Sequence, residues 1–396
     1  MFKLGMKNQS KRSERYFLFS LLLSGISIRI VGDIYISEIL LSVFALRSIF
    51  LGRRVFHLDG LRSIPILISL WFLANLVSSL LASKTLSLTL VAIATPIVTG
   101  LVLRSVLEYF ENFPSQILKS LAFFAIGRLI GVLIDPLPYS REFPWKFGYG
   151  DWLIIFSLVL VAKYKSTRLL WFIVPILSVI SLINEARLMT LLAISALVVT
   201  VFNPRKRASL AFLIAITALP IFSYYGYLDL ALSGNLGIRE IERARLLAES
   251  DLGPLAARKE FIFSSRAFAE SPFVGYGFDP QVSREILDAG NQQLLENGVK
   301  VDYGYLSELP MHSFLMSALV QGGFLAGFIW IFALFKSLRA FSNSILLQKY
   351  ERALTVYLSF SLISKILFSP FGAIERLNFV FFFSYILMIN LRRERA

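Results

Sequence analysis

The feature that most constrains this chain is a series of apolar runs, about 14 to 23 residues long, recurring from residue 16 to residue 391. No aqueous domain of 396 residues could hide them all; 56% of the chain is hydrophobic and 36 residues are phenylalanine. Inside a bilayer the backbone must satisfy its own hydrogen bonds, so such runs become helices. The sequence therefore predicts an all-α, polytopic membrane protein with about twelve spans. They fall at 16–31, 34–52, 64–82, 86–106, 115–134, 151–164, 169–184, 188–203, 208–224, 313–335, 353–369 and 377–391. The sixth and seventh are short, and Arg29 interrupts the first. The first two runs could instead form a hairpin that crosses poorly.

A net charge of +14 would suit nucleic acid, but its distribution does not. The excess sits in short segments between apolar runs, which is the signature of membrane orientation. With Lys3, Lys7, Lys11, Arg12 and Arg15 in the cytoplasm, alternate loops fall on the same side. These carry Arg53, Arg54 and Arg62; Lys163, Lys165 and Arg168; Arg205, Lys206 and Arg207; and Lys336, Arg339, Lys349 and Arg352. The tail with Arg392, Arg393 and Arg395 joins them, so both termini are expected inside. The loop after the fourth span fits least well, because Glu108 and Glu111 offset Arg104 and Lys119. No small-residue cleavage site follows the basic N-terminus, so no removable signal peptide is expected.

Three units follow: an N-terminal transmembrane bundle over 1–224, a helical loop or cap over 225–312 on the outer face, and C-terminal transmembrane helices over 313–396. Within the cap, 237–249 and 255–269 show apolar residues three and four apart, with Gly253-Pro254 between them.

The chain has no cysteine, which excludes disulfides, thiolate metal sites and cysteine nucleophiles. Its two histidines, His57 and His312, cannot make a multi-histidine centre. No carboxylate cluster demands a metal, so neither metal nor cofactor is expected.

Cations on the outer side have no orientation role. Arg187 and Arg376 sit in turns between spans; Arg128 and Lys365 lie within spans, toward their outer ends. Charges inside a bilayer are costly and mark a cavity or a partner. Together with Arg258 and Arg266 of the cap, these cations would suit a shared anion such as a lipid diphosphate. Taken singly, Arg128 and Lys365 could pair with carboxylates or snorkel, and Arg187 and Arg376 could bind lipid head groups. His312 stands where a polar segment enters the tenth apolar run, after Pro310.

These residues resemble the bacterial O-antigen ligases and polymerases. Arg187 opens a span after a very short turn and is followed by Leu188-Met189-Thr190-Leu191-Leu192. Arg258 precedes Pro272-Phe273-Val274-Gly275-Tyr276-Gly277, similar to that family's Arg followed by Pro-x-x-Gly-x-Gly. His312, with Phe314-Leu315 and Gly322-Gly323, resembles its His-Asn-x-x-Leu and later glycine. Ser313 stands where the family has Asn, and Ala186 where a small hydroxyl residue is common. The likeness is strongest over about 180–335 and topological before that.

The resemblance implies an enzyme of the bacterial inner membrane with its active site on the periplasmic face. The donor would be a glycan on undecaprenyl diphosphate. The acceptor would be lipid A-core for a ligase, or a second lipid-linked glycan for a polymerase. His312 would be the base; Arg187 and Arg258 would hold the diphosphate. Arg266, Arg128, Lys365 and Arg376 are secondary candidates. Gly275 and Gly277 would let backbone approach the glycan or pack the loop tightly. Transfer would be metal-independent and inverting, with no nucleic acid involved. A secondary transporter, which would need inverted repeats and interrupted helices, is the further alternative, and a non-catalytic scaffold a weaker one.

Overall fold

The apolar runs fold as helices. The computed structural model describes residues 13–29, 32–53, 55–56, 60–136, 138–201, 225–235, 237–250, 258–299, 309 and 311–394. The expected span at 208–224, the Gly253-Pro254 break and the basic residues 3–12 and 205–207 lie outside the described residues. In chain order the helices are α1 (13–22), α2 (Ile36–Phe50), α3 (Ser63–Leu81), α4 (Leu86–Asn112), α5 (Ile117–Ile134), the short α6 (Pro138–Glu142), α7 (Gly150–Tyr164), α8 (Thr167–Ile183) and α9 (Arg187–Val201). They continue as α10 (225–232), α11 (Ile238–Glu249), α12 (Glu260–Glu270), α13 (Arg284–Glu296), α14 (Phe314–Ser344), α15 (Lys349–Phe368) and α16 (Ala373–Glu394).

Among the described residues, six helical segments are long and apolar enough to cross a membrane: Ser63–Leu81, Leu86–Asn112, Pro114–Ile134, Trp145–Tyr164, Phe314–Ser344 and Ala373–Glu394. Thr167–Ile183 and Arg187–Thr200 are shorter apolar helices. The chain is thus a mostly helical protein built for a bilayer. Its outer helices carry apolar side chains outward, such as Ile66, Leu73 and Leu80 of α3 and Phe172, Val179 and Ile183 of α8. By contrast α16 is buried from Arg376 to Leu391 and forms the centre of the bundle, against α4, α14 and α15. A helix apolar on all sides belongs in such an interior.

The first expected span is corrected. Helix α1 stops at residue 22, and the chain then makes an antiparallel ribbon of β1 (Ser27–Arg29) and β2 (Asp33–Tyr35) before α2 starts. Arg29 sits on the exposed ribbon, paired with Asp33 at 3.2 Å.

The helix ends sort onto two faces. On one, Arg53 pairs with Glu108 at 3.0 Å and Lys119 with Glu14 at 2.9 Å. There too Arg339 meets Glu394, Arg392 reaches the Pro114 carbonyl, and Arg352 donates to Val199, Ile345 and Leu347 carbonyls. This basic face gathers loops that the charge pattern puts on one side, and it explains Glu108: the carboxylate is the counter-ion of Arg53.

On the opposite face sits the cap. Helices α11, α12 and α13 pack a small core of Phe263, Ala267, Ile286, Leu287 and Leu294, which extends to Val320 of α14. What joins cap to bundle is a break in α14. Gly323 leaves the helical region, with φ of 67° and ψ of −164°. The loop 272–277 fills the gap. Tyr276 N–H donates to the Val320 carbonyl at 2.8 Å, Gly277 N–H to Gln321 at 2.9 Å, and Phe324 N–H to Pro272 at 2.8 Å. Carbonyls that lose their helical donors at the break find new ones in the loop, as buried backbone groups must. Ser78 of α3 completes the joint, accepting from Gly277 N–H at 2.7 Å and donating to the Gln321 carbonyl.

The loop's two glycines therefore pack backbone against backbone. Gly275 and Gly277 both have φ of 75°, and a β-carbon on Gly275 would lie 2.6 Å from the Gln321 oxygen. Of the two roles open from the sequence, tight packing is the one this geometry serves. A β-carbon on Gly323 would collide with the Phe273 carbonyl. Gly323→Ala combines that clash with a left-handed backbone and should cost about 2 kcal/mol or more. Thermal unfolding in detergent should show a clearly lowered midpoint, and an unchanged one would remove the joint from the fold's essentials.

Candidate active site

His312 and Arg258 lie 54 positions apart in the chain and line one depression at the cap–bundle junction. Its other walls are Glu260, Phe261 and Ser264 of α12, Ser313 and Met316 at the start of α14, and Leu367 and Phe368 at the end of α15. The depression is shallow and open, with a cavity volume of only about 10 Å³.

Local chemistry explains each position. Ser313 is the N-cap of α14, accepting from Met316 N–H at 3.1 Å, and its own hydroxyl donates to the Ile366 carbonyl at 2.9 Å. A serine is a strong N-cap, and here it also fastens the start of α14 to the end of α15. The residue that departs from the family pattern thus has a structural role. His312, one place earlier, is thereby held beside Leu367 and Phe368. It is exposed and, among the described residues, hydrogen-bonds to none.

Arg258 precedes α12. Its Nη1 lies 3.4 Å from both Glu260 Oε1 and the Phe368 carbonyl oxygen, and the guanidinium sits 5.2 Å from the centre of the Phe368 ring. A guanidinium, a carboxylate and an imidazole thus face one space with an aromatic and aliphatic wall. That set suits a ligand with an anionic group beside a less polar body. It offers a cation for developing negative charge and a group able to take a proton.

The other candidate cations have partners. Arg187 pairs with Glu240 of α11, and its guanidinium lies 4.4 Å from the centre of the Tyr227 ring in α10. Tyr227 donates to the same Glu240 at 2.7 Å. Arg187 therefore ties α9 to the cap. Val199 of α9 meets Arg352 at the basic face, so Arg187, at the helix's far end, lies on the cap face, as Phe368 does at the far end of α15. Arg266 donates twice to Gln293 Oε1, at 2.9 and 3.1 Å, inside the cap.

Lys365, Arg376 and Arg128 belong to a buried polar cluster. Lys365 lies 2.9 Å from Glu375 and 4.0 Å from Asp151. Tyr357 donates to Asp151 at 2.6 Å. Arg376 grips Glu38 with two bonds, at 2.5 and 2.7 Å, and Glu38 is fully buried. Arg128 donates to the Ser24 carbonyl at 2.8 Å and lies over the Tyr35 and Trp152 rings. Three cations face three carboxylates in this cluster, so their charge is offset within the bundle.

Sequence reasoning passed over Glu260, Glu240, Glu38, Asp151 and Glu375. A signal was present for four of them: Glu38 and Asp151 stand among apolar residues as Arg128 does, Glu260 stands two residues after Arg258, and Glu375 stands beside Arg376. Weighing acids with the bases would have marked them, while which base each one meets is set by packing.

Comparison with protein-family models, with curated proteins and with solved structures finds no match.

The Arg376–Glu38 pair gives a test. Removing one partner leaves a buried charge uncompensated, so Arg376→Ala should cost about 3–5 kcal/mol. Arg376→Met with Glu38→Gln should recover much of that loss. Thermal unfolding of Arg376→Met, Glu38→Gln and the double variant would decide it, and additive losses in the double variant would remove the coupling.

Proposed function

We propose that this chain is a membrane glycosyltransferase that moves a glycan from undecaprenyl diphosphate to an acceptor hydroxyl, in the manner of an O-antigen ligase. The observation that carries the reading is the convergence of His312 and Arg258 on one depression at the cap–bundle junction. The reading includes a multi-pass bundle, both termini in the cytoplasm and the depression on the periplasmic side of the inner membrane.

In the reaction, the acceptor oxygen forms a bond to the anomeric carbon as the bond from that carbon to the diphosphate oxygen breaks. The acceptor proton passes to His312, and the electron pair stays with the lipid diphosphate. Arg258 offsets the charge gathering there, which a planar guanidinium can do through two parallel bonds. Arg187 would reach the same diphosphate by leaving Glu240. Attack from the face opposite the leaving group inverts the anomeric centre. The wall formed by Phe261, Phe368 and Met316 supplies apolar surface for sugar or prenyl groups.

A polymerase would use the same donor and the same residues with a second lipid-linked glycan as acceptor. The interrupted helix α14 also bears on a transporter. There, freed carbonyls bind the transported ion; here Val320 and Gln321 already accept from the 272–277 loop. That favours the enzyme.

His312→Ala should lower glycan transfer about 10²- to 10⁴-fold with normal membrane insertion. Wild-type transfer by that variant, measured in a complemented deletion strain, would overturn the base assignment. Arg258→Lys should weaken donor binding, because a point charge does not replace the planar fork. Arg187→Lys should do the same, and unchanged donor affinity in both would overturn the clamp. The deletion strain's surface glycan separates the two acceptors: polymer left on carrier lipid indicates a ligase, and core bearing a single repeat indicates a polymerase.

A further inference from the structure

Arg258 faces a competition. Its contacts with Glu260 and with the Phe368 carbonyl are both 3.4 Å, at the long edge of hydrogen bonding. Its side chain is 40% exposed, whereas that of Glu260 is 14% exposed. Glu260 is the first residue of α12, where the helix terminus favours a carboxylate. The acid is therefore fixed by its helix, while the arginine precedes the helix and is loosely held. Both line the depression with His312.

We propose that Glu260 is a positioning residue: an internal stand-in for the ligand's diphosphate that holds Arg258 at the depression while it is empty and yields it when the diphosphate arrives. The inference rests on the reading of Arg258 as a diphosphate-binding cation. A diphosphate offers several oxygens in the spacing of a guanidinium fork, whereas Glu260 offers one long contact. Once the diphosphate has the arginine, the Glu260 carboxylate repels it across a short distance. That repulsion keeps the ground-state complex weak and helps the spent lipid diphosphate leave, which uniform tight binding would prevent. Arg187 also pairs with a cap carboxylate, Glu240, but closely, so the loose hold is a feature of Arg258.

The test is a double-mutant cycle on the full chain in lipid nanodiscs, with inorganic pyrophosphate and a short-chain prenyl diphosphate as calorimetric probes. Glu260→Gln should bind diphosphate about two- to fivefold more tightly, the range of a partly exposed ion pair. The same change in an Arg258→Ala background should give no gain, and Glu260→Asp should behave like the parent. A gain for both probes assigns the site to the diphosphate itself, and a gain for the prenyl compound alone assigns it to the carrier lipid. Unchanged or weaker binding by Glu260→Gln overturns the proposal, as does an equal gain with Arg258 absent. A merely structural Glu260 would not tighten binding. Glycan transfer by the parent chain is scored separately. Transfer without the cycle's coupling overturns the role of Glu260 alone; coupling without transfer overturns the enzymatic reading and leaves the Arg258–Glu260 exchange standing.

Discussion

The arrangement depends on one exchange of backbone hydrogen bonds. Helix α14 breaks at Gly323, and a helix cannot leave carbonyls unpaired in an apolar interior. The 272–277 loop supplies the missing donors at Val320 and Gln321, and Ser78 of α3 locks the joint from the side. Because that loop directly follows α12, seating it fixes where α12 lies. Arg258 and Glu260, at the other end of α12, are then carried to the end of α15. Ser313 draws the start of α14 to Ile366 and brings His312 to the same place. The candidate site thus follows from two fastenings, one on each side of a short helical arm.

Charge inside the bundle obeys a parallel constraint. Arg376 is buried with Glu38, and Lys365 is half-buried with Glu375 and Asp151, so each ion's lost hydration is offset by a partner within reach. Arg128 is satisfied by a carbonyl and two aromatic rings. This cluster links α2, α5, α7, α15 and α16 around one polar centre. It leaves Arg258 and His312 as the exposed members of the original set that share a space, and concentrates the chemistry at the cap junction.

Much of this was legible in the sequence, and for a physical reason. Apolar runs of bilayer length report helices directly, and the cap and C-terminal helices α11 to α16 start within a few residues of polar caps, turns or prolines. The basic face was equally legible, since Arg53, Arg339 and Arg352 cluster as their loops require. His312 and Arg258 could be singled out because each lies at the end of an element, where the chain pattern changes. The β-ribbon at Ser27–Tyr35 was not legible, because its two strands, three residues each, fall at the ends of two apolar runs, 16–31 and 34–52, and read as the ends of spans. Nor were the acid partners of Lys365, Arg376 and Arg187, which come from 214, 338 and 53 positions away or from a neighbouring helix start. Pairing across such distances is a property of packing, and no local pattern encodes it. The glycines of 272–277 were visible as a motif, but their use depended on a break in a helix that hydropathy alone draws as continuous.

That break has a further consequence for how the molecule is partitioned. Residues 314–322 are held at one end by Ser313 and Ile366 and at the other by the loop 272–277, and Val320 belongs to the cap's core. By sequence this arm begins a transmembrane helix, and it serves both parts: Phe314 and Ala318 lie in the bundle core, while Val320 lies in the core of the cap. Cap and bundle are therefore fastened to each other along its whole length, and His312 sits at its bundle end, beside Leu367 and Phe368.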